Sequence, residues 1–384
     1  HYKKPPFATQ VLEIVRALQI PTWTDSRLLP EGVVVQKVSG ALTNAVFFVS
    51  YPAIPSIHTL LLRVYGSSSG SLISRPRELH VLHILSSRYN IGPRVYGTFE
   101  NGRFEQYFDS VTLTPTEIRD PQISRWIAAR MAELHSVDIK AVEGPTSPSS
   151  HESNRFEIAA NVKSWLRPAE EVLQLPAVSD DDRAELDLPR FRIEWSRCFS
   201  WLSKHRNTFG SRRVFAHNDT QYGNLLKLKS GSDGLDEHRQ IIVVDFEYAA
   251  PNPAAYDIAN HFHEWSANYH GSTPHLLDPS RYPTKSERLN FYSSYIRHAS
   301  MLADDPTLND EDVNAMVLEL EKDVKLWSIA SHAGWAIWGI VQAREDLENQ
   351  IAEPEFDYIG YAKGRMASFR QELNAISATV ASGI

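Results

Sequence analysis

The chain has 384 residues, of which 42% are apolar and 22% charged, a balance typical of a soluble globular enzyme. Its net charge of −8 argues against a nucleic-acid-binding surface and suits a small cationic substrate better. The single cysteine, Cys198, excludes an internal disulfide and a cysteine-based metal site, so we expect a cytoplasmic protein. The sequence begins at His1 without a methionine, which favours a native chain that extends further upstream.

The first 108 residues contain short apolar runs separated by turn residues, a pattern that predicts strands. An amphipathic helix with Val11, Ile14, Val15 and Leu18 on one face precedes them, and a second helix follows a Gly/Ser-rich loop. We therefore predict a small, mainly antiparallel sheet that carries a helix. The predicted helices span residues 8–20 and 77–88, and the predicted strands span residues 33–38, 45–51, 59–65, 95–98 and 103–108.

Helical periodicity dominates the rest of the chain, with helices predicted at residues 123–136, 157–175 and 188–205. Residues 229–240 are typical of an exposed hairpin loop, and residues 143–154 of a surface loop without a role. The most apolar stretch, residues 326–343, contains polar residues and is predicted to be a buried helix, not a membrane span. The predicted class is α+β, with a sheet-rich domain at 1–108 and a helical domain at 109–384.

Three residues after apolar lead-ins indicate phosphoryl transfer from ATP. Asp219 and Asn224 have the spacing Asp-x-x-x-x-Asn, and Asp245 follows a run of four β-branched residues. In kinases this set supplies a general base and two oxygen ligands for Mg²⁺. Asn218 stands where protein kinases carry Arg, and Glu247 stands where they carry Gly. Taken singly, each Asp is more typical of a turn or a cap, but the joint spacing favours catalysis.

Weaker signals indicate nucleotide contacts in the first domain. The turn at residues 39–44 can cover phosphates with its N–H groups, although such a turn is often only a hairpin. Arg63 lies inside an apolar strand and needs a partner, which we predict to be Glu78, or a phosphate; an edge arginine that faces water is the alternative. Gln106 and Phe108 end the domain and could contact adenine. The residues of the turn are Ser39, Gly40, Ala41, Leu42, Thr43 and Asn44.

Aromatic and acidic residues after Asp245 indicate a site for a quaternary ammonium, which aromatic faces and diffuse negative charge hold. Trp335 and Trp338 share one helical face. Ordinary core packing is the alternative. His217, His261 and His263 lack zinc-binding spacing and are interpreted as structural residues or as residues that support those in contact with the substrate. The other candidates are Glu247, Tyr248, Glu264, Trp265, Tyr269, Tyr358 and Tyr361.

These motifs together resemble the choline/ethanolamine kinase family over residues 32–372. The matching strings are His217-Asn218-Asp219-x-Gln221-x-Gly223-Asn224, Asp245-Phe246-Glu247-Tyr248, and the runs at residues 257–265, 282–285 and 331–343. Tyr222 and residues 252–257 resemble the fungal branch. The resemblance implies a bilobal fold like that of eukaryotic protein kinases, and it permits a homodimer without requiring one.

The resemblance also implies residue roles. Asp219 would be the catalytic base, Asn224 and Asp245 would hold Mg²⁺, and Gln221 would lie beside the phosphates. In the first lobe, residues 39–44 would form the ATP loop, Arg63 would contact phosphate, and Gln106 and Phe108 would form the adenine hinge. Ala41 replaces a family glycine, so the loop geometry differs slightly. The choline pocket would comprise Tyr248, Glu264, Tyr269, Trp335, Trp338 and Tyr361.

The predicted activity is therefore ATP-dependent phosphorylation of choline to phosphocholine, the first step of the CDP-choline route to phosphatidylcholine. An ethanolamine kinase is the first alternative, but its primary ammonium would want directional acceptors more than rings. An aminoglycoside-type phosphotransferase is the second, and its site would be broader and more acidic. A catalytically silent scaffold or amine-binding protein is the third, which the intact Asp219, Asn224 and Asp245 argue against.

Overall fold

The computed structural model of the protein describes residues 5–38, 44–66, 74–143, 156–205, 208–230, 234, 236–303 and 308–381. The chain forms two compact units. The first contains the described residues up to Val111 together with Leu228–Ser230 and Val244–Glu247. The second contains Thr112–Lys227, Gly231–Val243 and the chain from Tyr248 onward.

The first unit is built on a five-stranded antiparallel sheet with strand order β1-β2-β3-β5-β4. Alternate residues of β3 and β5, such as Leu60, Leu62 and Phe104, face a core that the apolar stripe of α1 and Trp23 complete. Its elements are α1 (Pro5–Ala17), β1 (Val34–Val38), β2 (Asn44–Ser50), β3 (Leu60–Tyr65), α2 (Arg75–Arg88), β4 (Val95–Phe99) and β5 (Gly102–Gln106).

The second unit is mainly helical, and its longest helix, the 33-residue α10, packs against α5, α8, α9 and α12. Its helices are α3 (Pro121–His135), α4 (Ile139–Glu143), α5 (Glu157–Leu173), α6 (Asp180–Leu186), α7 (Leu188–Leu202), α8 (Ala254–Glu264), α9 (Lys285–Leu302), α10 (Asp310–Gln342), α11 (Arg344–Glu348) and α12 (Tyr358–Ala381). Short 3-10 helices of the chain lie at Pro30–Gly32, Glu117–Arg119, Ser203–His205, Tyr222–Asn224, Glu237–Gln240 and Pro279–Arg281.

Short strands frame the segment that carries Asp219. β6 (Ser110–Thr112) leads out of the first unit, and β7 (Arg213–Ala216) pairs antiparallel with β10 (Ala250–Pro253). β8 (Leu225–Leu228) and β9 (Ile241–Val243) form an antiparallel hairpin, as the sequence predicts for residues 229–240 between them. Both pairs hold the intervening loop at fixed points on either side.

The predicted α+β class is confirmed, and most element boundaries differ from the prediction by one to three residues. Three helices begin earlier than predicted, at Pro5, Arg75 and Pro121. A proline lies in the first turn of each, where its missing N–H costs no hydrogen bond. The surface loop predicted at residues 143–154 lies almost wholly outside the described residues. No helix in the described parts of the chain is long and apolar enough to cross a bilayer.

Candidate active site

The buried carboxylate of Asp257, in α8, holds the backbone of the segment that follows β7. Its two oxygens accept the backbone N–H groups of Asn218 (2.7 Å) and His217 (2.9 Å). Its Oδ2 also lies 2.9 Å from His135 Nε2. Burial opposes ionisation, but His135 and His217 hold the pKa of Asp257 below its usual range. Asp257 thus fixes the backbone immediately before Asp219.

Asp219 is more exposed to solvent than the residues next to it in the chain. His217, Asn218 and Thr220 are buried, whereas Asp219 is half-buried. The amide nitrogen of Asn224 donates to the backbone oxygen and to Oδ2 of Asp219, both at 2.9 Å. The Asp219 carboxylate is therefore oriented and accessible, as a general base must be. The structure brings Asp219 and Asn224 together as the sequence predicts.

Gln221 lies in the same loop, and its side-chain oxygen accepts the N–H of Gly223 at 3.1 Å. That bond closes a turn at the start of the short helix Tyr222–Asn224. Both amide protons of Asn224 point at Asp219, so its Oδ1 is the atom of that side chain suited to a cation.

Asp245 belongs to the first unit, where it lies in a group of buried charges. It adopts a left-handed backbone (φ 67°), and its Oδ2 accepts Arg63 Nη1 at 3.1 Å. Arg63 is buried, and its Nε lies 3.6 Å from Glu105. Since Asp219 and Asn224 belong to the second unit, the convergence of all three on one metal stays a prediction.

The predicted pairing of Arg63 with Glu78 is wrong. Glu78 accepts Arg103 Nη2 at 2.6 Å and Arg75 Nη1 at 2.8 Å, while Arg63 pairs with Asp245 and Glu105. Arg103 lies directly opposite Arg63 in the β3–β5 register. It is Arg103, and not Arg63, that forms the ion pair with Glu78. Sequence spacing could not distinguish two arginines on neighbouring strands.

Glu247 joins this charge group instead of the aromatic residues with which the sequence grouped it. Its Oε2 lies 3.4 Å from Arg75 Nη1 in the first unit. Burial and the nearby Asp245 and Glu78 carboxylates raise the pKa of Glu247 to about 8. The group thus combines the guanidiniums of Arg63, Arg75 and Arg103 with the carboxyl groups of Glu78, Glu105, Asp245 and Glu247.

The predicted nucleotide contacts are described only in part. Residues 39–43 of the predicted ATP loop lie outside the described residues. Asn44 is the first residue of β2, and only its backbone is described. Gln106 ends β5, where its N–H donates to Arg94 O at 2.8 Å and its Oε1 accepts the Arg94 N–H at 3.4 Å. Phe108 is half-buried two residues later.

The second unit brings five of the predicted aromatic residues into one cluster, in which Tyr358 packs edge to face on Trp338 at 5.7 Å. The indoles of Trp335 and Trp338 meet edge to face, with ring centroids 5.1 Å apart. Tyr248 packs edge to face on Trp335 at 5.6 Å, and its hydroxyl accepts Trp338 Nε1 at 2.8 Å. Tyr361 packs on Trp338 at 5.9 Å. Tyr248 and both indoles are half-buried, so the cluster has an accessible face.

Glu264 lies at the base of this cluster and is held on both oxygens. Its Oε2 accepts the Tyr269 hydroxyl at 2.6 Å, and its Oε1 accepts Arg365 Nη2 at 3.2 Å. Burial raises the pKa of Glu264, while Arg365 and Tyr269 oppose that rise. Arg365 Nε in turn donates to the Tyr361 hydroxyl at 3.1 Å. The cluster therefore has an acidic group whose charge is largely neutralised.

Trp265 is not part of the cluster. It is fully buried, and its indole N–H donates to His261 Nε2 at 3.1 Å while its ring packs on Phe262 at 6.0 Å. The indole is directed into the core because α8 is buried along its whole length. His261 also approaches Thr220 O at 2.8 Å, and burial lowers its pKa to about 4. The structural role predicted for His261 agrees with these contacts.

Sequence reasoning missed the residues that hold the site together. Arg365 and Asn260 are polar and buried, and buried polar side chains have hydrogen-bond partners. Phe356 and Tyr222 add ring contacts to Tyr361 (5.7 Å) and Tyr269 (5.6 Å). Nothing in the spacing indicates those two contacts.

Comparison with known proteins gives consistent results. A model of the choline/ethanolamine kinase family matches residues 35–370. Choline kinase of Schizosaccharomyces pombe is 34% identical and covers 97% of this chain and 90% of its own length. Choline kinase of Saccharomyces cerevisiae is also 34% identical, over 94% of this chain and 75% of its own length. The crystal structure of choline kinase from Cryptosporidium parvum aligns with a TM-score of 0.72 at 24% identity, covering 97% and 96% of the two chains.

Proposed function

The chain belongs to the choline/ethanolamine kinase family, and on that premise we propose that it is an ATP-dependent choline kinase that makes phosphocholine. The family and the kinase-like fold expected from the sequence are both confirmed. Two relatives that are named choline kinase, each 34% identical over most of the chain, support choline as the acceptor. The enzyme would thereby supply the first step of the CDP-choline route to phosphatidylcholine.

The observation that carries this choice of acceptor is the neutralised carboxylate of Glu264. A primary ammonium needs directional, charged acceptors, and both oxygens of Glu264 are already held by Tyr269 and Arg365. A quaternary ammonium needs aromatic faces and only diffuse negative charge. Tyr248, Trp335, Trp338 and Tyr361 offer those faces, which favours choline over ethanolamine or an aminoglycoside.

Asp219 would act as the general base. It accepts the proton of the choline hydroxyl as that oxygen attacks the γ-phosphoryl group in line. Asn224 donates to Oδ2 of this carboxylate, and that bond sets its orientation. Most of the acceleration would come from such positioning, because phosphoryl transfer asks for little covalent chemistry from the protein.

ATP and Mg²⁺ would be held by residues whose chemistry fits them. Asn224 and Asp245 offer a neutral and an anionic oxygen, the ligand types that Mg²⁺ prefers. When bound, the ion neutralises charge on the phosphates. We propose that residues 1–108 bind ATP, through residues 39–44, Arg63, Gln106 and Phe108, and that residues 109–384 bind choline. A cytoplasmic location and a homodimer are also proposed, the first from the single, buried Cys198.

The substitution Asp219→Asn tests the proposal. It keeps the shape and the contact with Asn224 but removes the base, so kcat for choline-dependent ADP release should fall by about 10²–10⁴-fold while ATP affinity is retained. The exposed Asp181→Asn is the matched control and should keep wild-type activity. A near-wild-type kcat in the Asp219 variant would overturn the assignment of the base. Wild-type protein that releases no ADP with choline would overturn the function itself.

A further inference from the structure

Asn260 of α8 connects the catalytic loop to the aromatic cluster through its side chain. Its Nδ2 donates to the backbone oxygen of Asn218 at 2.5 Å, directly before Asp219. Its Oδ1 accepts the indole N–H of Trp335 at 2.9 Å and the hydroxyl of Ser331. Asn260 is 3% exposed, so neither end of the amide exchanges with water.

The loop end of this connection is rigid. Asn218 has a left-handed backbone (φ 66°), and four partners besides Asn260 hold it, one of them the backbone oxygen of Ala250. Its N–H donates to Asp257 at 2.7 Å, and its side-chain oxygen accepts Asn252 Nδ2 at 2.9 Å. Its Nδ2 donates to the backbone oxygen of Tyr248 at 2.8 Å. A residue held in this way has little freedom to shift independently of its partners.

The cluster end is equally defined. Trp335 is held by Asn260 through its N–H, and its ring meets Tyr248 and Trp338 edge to face. Tyr248 is itself bonded to Asn218 through its backbone oxygen. Two rings of the cluster are thus tied to one residue of the catalytic loop, one through Asn260 and one directly.

We propose that Asn260 is a positioning residue that sets the distance between the ammonium-binding rings and the Asp219 base. This inference rests on the proposed function, in which the acceptor is an amino alcohol with its hydroxyl two carbons from the cation. The base must then lie at one fixed reach from the rings. Without Asn260 the rings still bind the cation, but the hydroxyl no longer meets Asp219 in the reactive geometry.

The experiment compares choline with (3-hydroxypropyl)trimethylammonium, which is one carbon longer, in wild type and in Asn260→Leu. Leucine has the same number and branching of side-chain heavy atoms and removes all three hydrogen bonds. The kcat for choline should fall by about 100-fold, the effect of roughly 1 Å of misplacement, while KM changes by less than about 3-fold. The longer acceptor has one more rotatable bond and should lose less, so the choline-to-homologue ratio of kcat should fall by about tenfold.

A second variant keeps the test decisive if Asn260→Leu does not fold. Trp335→Phe removes the same hydrogen bond from the other end and retains a ring, so it should lower the same ratio. Trp327→Phe is the matched control, because Trp327 lies on the same helix and donates its buried indole N–H to Ser211 Oγ at 2.8 Å, away from the cluster. Its ratio should stay at the wild-type value.

The inference would be overturned if the variants of Asn260 and Trp335 lost kcat equally for both acceptors, so that the choline-to-homologue ratio of kcat stayed at the wild-type value. That result leaves the proposed function intact, because the wild type would still phosphorylate choline. Failure of the proposed function would instead appear as a wild-type protein inactive with either acceptor.

Discussion

Glu264 and Arg365 form a buried ion pair beside the aromatic cluster. Both are almost fully buried, and the guanidinium also serves the Tyr361 hydroxyl. Burying one charge without the other would cost several kcal/mol, so each depends on its partner. The pair therefore holds Tyr269 and Tyr361 in place by hydrogen bonds. The opposite charges of Glu264 and Arg365 also offset each other beside the aromatic cluster.

Removal of Arg365 should destabilise the protein strongly. Arg365→Met leaves the Glu264 carboxylate buried without its cation, and we expect the free energy of unfolding in urea to fall by about 3–5 kcal/mol. Arg167→Met is the control, because Arg167 pairs with Glu171 on the surface, where such pairs contribute about 0–1 kcal/mol. Equal losses in the two variants would show that the buried pair has no special weight.

At this scale the sequence predicts residue types better than partners. Asp219 and Asn224 are found together because a local spacing joins them. Asn260 and Arg365 were missed, because their contacts join residues that lie 42 and 101 positions apart in the chain. The error over Glu78 has the same origin: the register that sets Arg103 against Arg63 is a property of the folded sheet.

Among the elements, α10 is the helix around which α5, α8, α9 and α12 of the second unit pack. It presents Trp335 and Trp338 to the cluster near its end, and it is tied to α9 by Glu321, which accepts Arg288 Nη2 at 2.8 Å. Burial opposes ionisation of Glu321, but Arg288 and Lys325 hold its pKa at about 2. The folded state therefore binds fewer protons at this group than the unfolded chain.

This tie predicts a pH dependence with a definite sign. Because the folded pKa of Glu321 is depressed, its contribution should be complete above pH 4.5 and should disappear as pH falls towards about 2. Glu321→Gln should lower unfolding free energy by on the order of 2 kcal/mol at pH 7, with a smaller difference from wild type at each step below pH 4.5. Urea unfolding across this range measures it.

Glu319→Gln, an exposed position on the same helix, is the control and should follow the wild type throughout. A constant difference between wild type and Glu321→Gln across the acid range would contradict the assignment.

The elements themselves were largely predictable, since apolar periodicity locates them. Their ends were not, because caps and first-turn prolines, such as Asp120 with Pro121, extend helices beyond the apolar stripe.

At the scale of the whole molecule, the order of elements and the family were predictable, because five motifs occur in sequence along most of the chain. The sequence also predicts that Asp245 joins Asp219 and Asn224 on one metal ion. The structure describes each half of that arrangement within its own unit, with Asp245 held by Arg63 and Asp219 by Asn224. The residues of the proposed acceptor site, Tyr248, Glu264, Trp335, Trp338 and Tyr361, belong to the second unit.

The most direct test of the central claim is a competition in one vessel. Equal concentrations of choline and ethanolamine are incubated with ATP, Mg²⁺ and the wild-type enzyme, and both phosphorylated products are measured by ³¹P NMR. We predict phosphocholine in at least about tenfold excess, since a desolvated cation–π site favours the quaternary cation by about 1–2 kcal/mol. An excess of phosphoethanolamine, or no transfer to either amine, would contradict the account.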